Sequence, residues 1–438
     1  MKKRYCGFLC CFALFIIPSG VLAADITVDS ATLLGIGKRD ISGAAKETLL
    51  PATQFLGLTA DKLADGNLSL HLYGWGRADL SDRSYNNDRY SGSLTYGYLK
   101  YGFTHAGASI RAGRFFVREG IVNEQIDGIS ARTDLPFGFG LSAFGGATVH
   151  TAHISRETSD GKGDTLYGGR ANYRYKGMLE IGLSGVYESA APALATHTAG
   201  DYRRVGGDIW FTPFTSVDLI GHSSYNPETQ KFAEHSYMLT AKPAKQLVLT
   251  GKFNQYRDQS YLYAWTMYSA SALNPNDKSS SVGLSAAYEI NKNFEAVADY
   301  THYTREFGSA DRYGGDARVN FSGNTVRGGL GYHYLNAGED FAIGANPSAS
   351  YHELRCYAMQ DTKTYFAAVD LLGDFFKEQI YNERSAWEAS ASLGYHITPA
   401  LALSGDFSYG RNPQFVEDVK GLLRLTYNMT YTGIGGNK

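Results

Sequence analysis

Two groups of arginines and one of acids carry the chemistry that can be read from this chain. Arg170 and Arg174 lie four residues apart in GGRANYRY, with Arg204 following. Arg312, Arg318 and Arg327 form a second basic group, and Glu289, Glu295 and Asp299 an acidic one just before it. In an extended strand, residues an even number of positions apart share a face. Arg170 with Arg174, Arg312 with Arg318, and Glu295 with Asp299 therefore project together. Guanidinium and carboxylate groups without an adjacent nucleophile attract and orient polar or ionic solutes; they do not break bonds. Two arrangements are open. Either basic and acidic walls stand apart and set up a transverse field, or the charges pair across neighbouring strands and simply keep a surface wet.

Bond-making chemistry has no constellation here. There is no GxSxG elbow, no HExxH, no phosphate-binding P-loop and no CxxCH for covalent haem attachment. GFGLSAFGG at 138–146 is glycine-rich but opens a strand pattern with no following helix, so crowding on a curved sheet accounts for it. His150 and His153 fall in one polar stretch, and His352 and Glu353 are adjacent and so on opposite strand faces; neither pair makes a metal site. No catalytic residue, metal ligand or cofactor follows, and the chain reads as a non-enzyme.

The elements that must position these charges are strands. NLSLHLYGWGRADL at 67–80 places Leu68, Leu70 and Leu72 on one face, and Ser69, His71, Tyr73, Trp75, Arg77 and Asp79 on the other. The same alternation recurs at 168–175, 179–187, 246–253, 281–290, 294–303, 386–397, 400–409 and 422–431. Each run is about ten residues long, the size of a tilted strand crossing a bilayer. Tight turns fall at 104–108, 135–138, 176–177, 212–215, 242–246, 291–293, 322–324, 361–363 and 398–400. Longer polar stretches at 81–91, 150–164, 189–201, 260–280 and 336–350 alternate with them. Strict short–long alternation puts the turns on one rim and the loops on the other. The weaker stretches are 108–134 and 348–376. In the first, Arg111 and Arg114 share a face only if a bulge intervenes, with Gly113 as its site.

Which face looks inward is decided by Trp387 and Tyr395, which flank Ala389, Ala391 and Leu393 on one face. At about 3.3 Å per residue and a tilt near 40°, the two aromatics stand roughly 20 Å apart along the membrane normal. Aromatic, small apolar, aromatic is the profile of a face crossing lipid between interfacial girdles. The leucines at 68–72 then face lipid and the charged face looks inward. So many ionisable groups could not line a dry core, so the interior is aqueous. The expectation is an all-β transmembrane antiparallel barrel of about 20 strands, with short periplasmic turns and long extracellular loops. A soluble sandwich or propeller would show domain linkers or a fixed repeat, and neither is found.

The remaining features fit export. Residues 1–23 read as a signal peptide: Lys2, Lys3 and Arg4, an apolar run from Phe8 to Ile17, then Val21-Leu22-Ala23. Cleavage leaves Cys356 as the one cysteine, so no internal disulfide forms. Residues 24–66 depart from the alternation; 44–63 suggests short helices broken at Pro51, in a periplasmic segment against the rim or tucked into the lumen. The barrel spans 67–431, with a periplasmic tail at 432–438. A net charge of −2 argues against a nucleic-acid partner. The expected partners are outer-membrane lipid and small polar solutes or ions.

LSLHLYGWGRADLSDRS, GSLTYGYLKYGF, RAGRFFVREG and EQIDGISARTDLPFGFGLSAFGG together resemble the porin-like outer-membrane barrels of metal-reducing deltaproteobacteria. The resemblance is clearest over 53–150. It implies a cell outer-membrane channel, or alternatively the sheath of a porin–cytochrome complex whose partner, a multihaem c-type cytochrome, supplies every redox centre. The chain departs from general porins in ending on TGIGGNK, with its last aromatic at Tyr431.

Overall fold

In a computed structural model, the period-two pattern becomes one sheet closed on itself. The structure describes residues 24–41, 47–63, 66–81, 89–149, 165–191, 200–257, 278–305, 308–323, 325–338, 350–413 and 415–432. The first strands are β1 (Asp25–Ile41), a short β2 (Glu47–Leu49), β3 (Pro51–Leu63), β4 (Leu68–Asp79), β5 (Tyr90–Phe103) and β6 (Ala108–Glu119). Next come β7 (Val122–Asp134), β8 (Phe139–Thr148), β9 (Leu166–Tyr175), β10 (Leu179–Ala191), β11 (Gly200–Phe214) and β12 (Val217–Asn226). They are followed by β13 (Lys231–Ala244), β14 (Leu247–Tyr256), β15 (Ser279–Asn291), β16 (Phe294–Arg305), β17 (Gly308–Phe321) and β18 (Val326–Ala337). The last are β19 (Tyr351–Asp361), β20 (Tyr365–Ile380), β21 (Glu383–Thr398), β22 (Leu401–Arg411) and β23 (Phe415–Thr432). Among the described residues the only helical turn is the three-residue Pro136–Gly138, and no helix is long and apolar enough to cross a membrane.

Each strand pairs antiparallel with its chain neighbour, and β1 closes the ring on β23, from Asp25 opposite Thr432 to Ile41 opposite Phe415. Strands β2 and β3 both pair with β1 and are separated by Leu50 alone, so they form one interrupted staple of the wall. The barrel thus has 22 strands, not 20. Closure removes both sheet edges and satisfies every strand's backbone within the wall, which is what a hydrocarbon surround demands.

The two missed strands come from the amino-terminal segment. Residues 25–41 and 47–63 are wall strands, neither a leader on the rim nor a helical insert; Pro51 opens β3 rather than breaking a helix. The nine tight turns lie between strands that share one rim, and a tenth, at Gly66–Asn67, joins β3 to β4. The opposite rim is not uniformly long-looped. Gly120–Ile121 and Tyr381–Asn382 connect strands there with two residues each, so strict short–long alternation fails. The barrel begins at 25 and its last strand extends to Thr432. The segments 1–23, 150–164, 192–199, 258–277, 339–349 and 433–438 lie outside the described residues, and with them the signal-peptide, histidine-loop and tail assignments.

The faces divide as the alternation requires. Leu183, Leu284, Leu330 and Leu393 are 60–73% exposed on the outer surface, and Trp387 and Tyr395 flank Leu393 there. Large apolar groups this exposed are stable only against an apolar surround. Register then carries the members of the two arginine groups and of the acidic group to the inner face. Ser184 faces Arg170, Asp299 faces Ser285, Arg318 faces Glu295 and Gly331 faces Asp316.

Candidate functional site

The inner surface is organised around a hairpin that leaves the wall. Strands β6 and β7 stay in register from Ala108–Thr133 to Glu119–Val122 with no shift, so the bulge expected at Gly113 does not form. Arg111 and Arg114 lie on opposite faces instead. Arg111 donates to Ser130 Oγ at 3.1 Å inside, and Arg114 makes a two-pronged contact with Asp127 at 2.6 and 2.7 Å on the other face. Gly113 serves a different purpose. Its φ is +126°, and a Cβ there would collide with the Gly97 carbonyl. Gly113 lies opposite Gly128, and Gly128 opposite Gly146. A row of residues without side chains crosses three strands, and the hairpin bends inward along it.

Contacts of the hairpin tip fix where it goes. The amide of Ile121 donates to Ser184 Oγ on β10 at 3.2 Å, and Ser142 Oγ on β8 donates to Glu119 at 3.2 Å. Arg204 on β11 donates to Glu124 at 3.3 Å. Ser142, Ser184 and Arg204 are all inner-face residues, so the tip lies on the inside of the barrel, across β8, β9 and β10. An apolar seam holds it: Phe115, Val117, Ile121, Val122 and Ile126 of the hairpin pack on Phe144, Leu166 and Val186 of the wall. Phe115, Val117 and Ile126 are at most 1% exposed. Burying each such side chain contributes about 1.5–3 kcal/mol, so the seam is ample to keep a twelve-residue excursion docked.

Beneath the tip sits the first basic group. Arg170 donates to Asp208 at 2.5 and 3.0 Å and to Glu180 at 2.8 Å. Arg174 takes the other oxygen of Glu180 at 2.8 Å and reaches Asp134 at 3.5 Å. The Arg170 side chain is 9% exposed, against 20% and 17% for its partners. It anchors the wall while the carboxylates border the water. Gly120, at the tip, leaves no room for a Cβ between Ser184 Oγ and Asp208. The hairpin and this cluster therefore form one unit.

Arg312 and Arg318 of the second basic group line a separate cavity of about 430 Å³ on β14–β19. Arg312 bridges Asp299 at 3.1 Å and Glu353 at 3.2 Å, and His333 meets the same two carboxylates at 2.8 and 3.4 Å. Arg318 pairs with Glu295 at 3.0 Å and Asp316 at 3.2 Å. Arg327 stands apart, 3.9 Å from Asp361. Glu289 is brought opposite Glu295 in the β15–β16 register. The charges thus pair across strands; of the two arrangements left open by the sequence, segregated walls are not what forms. Among the described residues no group of His, Cys, Asp and Glu could hold a metal ion.

Sequence reasoning missed the hairpin, Glu124, His333 and Glu353 as members of these clusters. A signal for the hairpin was present. Phe115, Val117, Val122 and Ile126 place apolar groups on the face that is polar elsewhere, bracketed by Gly113, Gly120 and Gly128.

No known family description matches the chain, and no curated protein does. Solved structures match throughout. A double mutant of the ferric enterobactin receptor PfeA from Pseudomonas aeruginosa superposes with a TM-score of 0.56 at 11% identity, covering 92% of this chain and 80% of that one. The siderophore receptor PirA from Acinetobacter baumannii gives 0.54 at 11% identity over 92% and 80%. OccAB4 from Acinetobacter baumannii gives 0.46 at 12% identity over 95% and 100%. At such identities the likeness is one of fold: this chain has the architecture of the large outer-membrane barrels.

Proposed function

We propose that this barrel is an outer-membrane channel giving passive aqueous passage to small polar solutes or ions, with the β6–β7 hairpin as its constriction. The observation that carries the reading is the pairing of an apolar exterior with a charged inner wall against which a hairpin is docked. A 22-stranded wall encloses more space than its own side chains fill. The hairpin reduces that space, and the cluster of Arg170, Arg174, Glu180 and Asp208 beside it presents charge of both signs to whatever passes. The near balance of those signs favours polar zwitterionic or neutral solutes over a single class of ion.

The test is conductance of the purified protein alone in a planar bilayer. Ohmic steps are expected, and a membrane that stays sealed would overturn the reading. The resemblance noted above supplies a second outcome, a sleeve around a multihaem cytochrome. That role needs the hairpin displaced from the lumen and predicts a co-purifying haem absorbance with no current from the barrel alone.

A further inference from the structure

Aromatic rings are concentrated on one part of the inner wall, where no barrel needs them. Phe55, Tyr73, Tyr96 and Tyr98 face inward on β3, β4 and β5, by their register with Trp75, Gly57, Tyr73 and His71. Their centroids follow one another at 6.3 Å from Phe55 to Tyr73, 5.5 Å to Tyr96 and 6.0 Å to Tyr98. A final step of 6.1 Å reaches Phe115, at the base of the hairpin. His71 stacks on Tyr98 at 4.8 Å. Phe115 is buried, but the other rings are only half-buried and so keep surface for a solute. A row running across tilted strands climbs the wall obliquely.

The lower end of the row opens into a cavity of about 360 Å³ at the seam where the barrel closes. Phe55 and Tyr73 form its aromatic side, and Asp29, His396, Thr426 and Asn428 its polar side. Asn428 donates to one oxygen of Asp29, which leaves the carboxylate further acceptor capacity. His71, hydrogen-bonded to Ser69 at 2.9 Å, supplies a second polar edge along the row.

We propose that this strip is a binding track for neutral saccharides, leading from the constriction to the seam cavity. The proposal rests on the channel reading and names its solute class. A sugar ring has two C–H faces that pack on aromatic faces, and a rim of hydroxyls that must be hydrogen-bonded once water is displaced. The strip offers both, rings in a row and polar groups at their edges. Charged solutes suit it less well. Lys100 lies on the same inner face, and Arg111 stacks on Phe115 at 5.0 Å, which disfavours cations. Asp29 and Asp61, inward on β1 and β3, disfavour anions.

Calorimetric titration of the detergent-solubilised protein with maltohexaose, cellohexaose and sorbitol tests this without requiring current. At least one hexaose should bind, and sorbitol, which has hydroxyls but no ring, should not. Tyr73→Ala with Tyr96→Ala should weaken binding roughly tenfold or more, whereas Tyr73→Phe with Tyr96→Phe, which keeps the ring faces, should stay within about threefold. Absence of hexaose binding, equal binding of sorbitol, or unchanged affinity in a folded alanine pair would overturn the proposal. So would tighter binding of benzoate, which would assign the strip to flat aromatic solutes. Should the alanine pair fail to fold, loss of affinity in the phenylalanine pair would count against ring stacking. Conductance without saccharide binding would sink the track and spare the channel; saccharide binding to a barrel that passes no current would do the reverse.

Discussion

At the scale of single residues, the inner wall is held by charges that cannot be removed one at a time. Arg170 serves two carboxylates at hydrogen-bonding distance while itself nearly buried. Replacing it by Met keeps the stem, leaves Asp208 without its cation and leaves Glu180 held by Arg174 alone. A fully buried pair broken in this way costs about 3–5 kcal/mol; with water on one side, about 1–3 kcal/mol is expected here. The urea midpoint for unfolding from vesicles reads that loss, and an unshifted midpoint would show the cluster to be ornamental. Gly113 is subject to a different constraint. Its φ of +126° and its contact with the Gly97 carbonyl exclude any side chain. Gly113→Val should cost about 2 kcal/mol or more, or release the hairpin from the wall. Limited proteolysis near Gly120 distinguishes the two, and a variant indistinguishable from the native chain on both measures would contradict the bend.

At the scale of elements, the alternating strands were legible because each presents a clean lipid face; Trp387, Ala389, Ala391, Leu393 and Tyr395 on β21 are the plainest case. Strands β1 and β3 were not, for a physical reason. Gln54 sits on the outer face and bonds Ser30 at 2.9 Å and Thr32 at 2.6 Å, making a polar patch where leucines are expected. Phe55 and Leu33 meanwhile sit on the inner face, so the period-two signal is blurred in both directions. The charged clusters were legible as same-face neighbours, but their partners were not. Glu124 meets Arg204 only because a hairpin crosses three strands, a relation that no spacing encodes. The hairpin gives this scale its prediction. Replacing Val117–Glu124 by Asn-Gly, a two-residue turn that closes β6 on β7 above the glycine row, should raise single-channel conductance about twofold or more by widening the constriction. Conductance unchanged by the deletion would mean that the narrowest point lies elsewhere.

At the scale of the whole molecule, the deciding property is which surface of the wall is wet. A 22-stranded closed wall carries most of its large apolar groups outward and the clusters around Arg170 and Arg312 inward, the reverse of a soluble protein. The chain itself provides the probe. Cys356, exposed on the outer face opposite Leu330, is adjacent to Arg355, which lines the 430 Å³ cavity on the inner face. The decisive measurement is alkylation by a charged, membrane-impermeant maleimide of the protein folded in vesicles. Cys356 should stay unreacted until the barrel is unfolded, whereas Arg355→Cys in a Cys356→Ala background should react in the folded state. Reaction of native Cys356 at the rate of the inward cysteine would contradict the account.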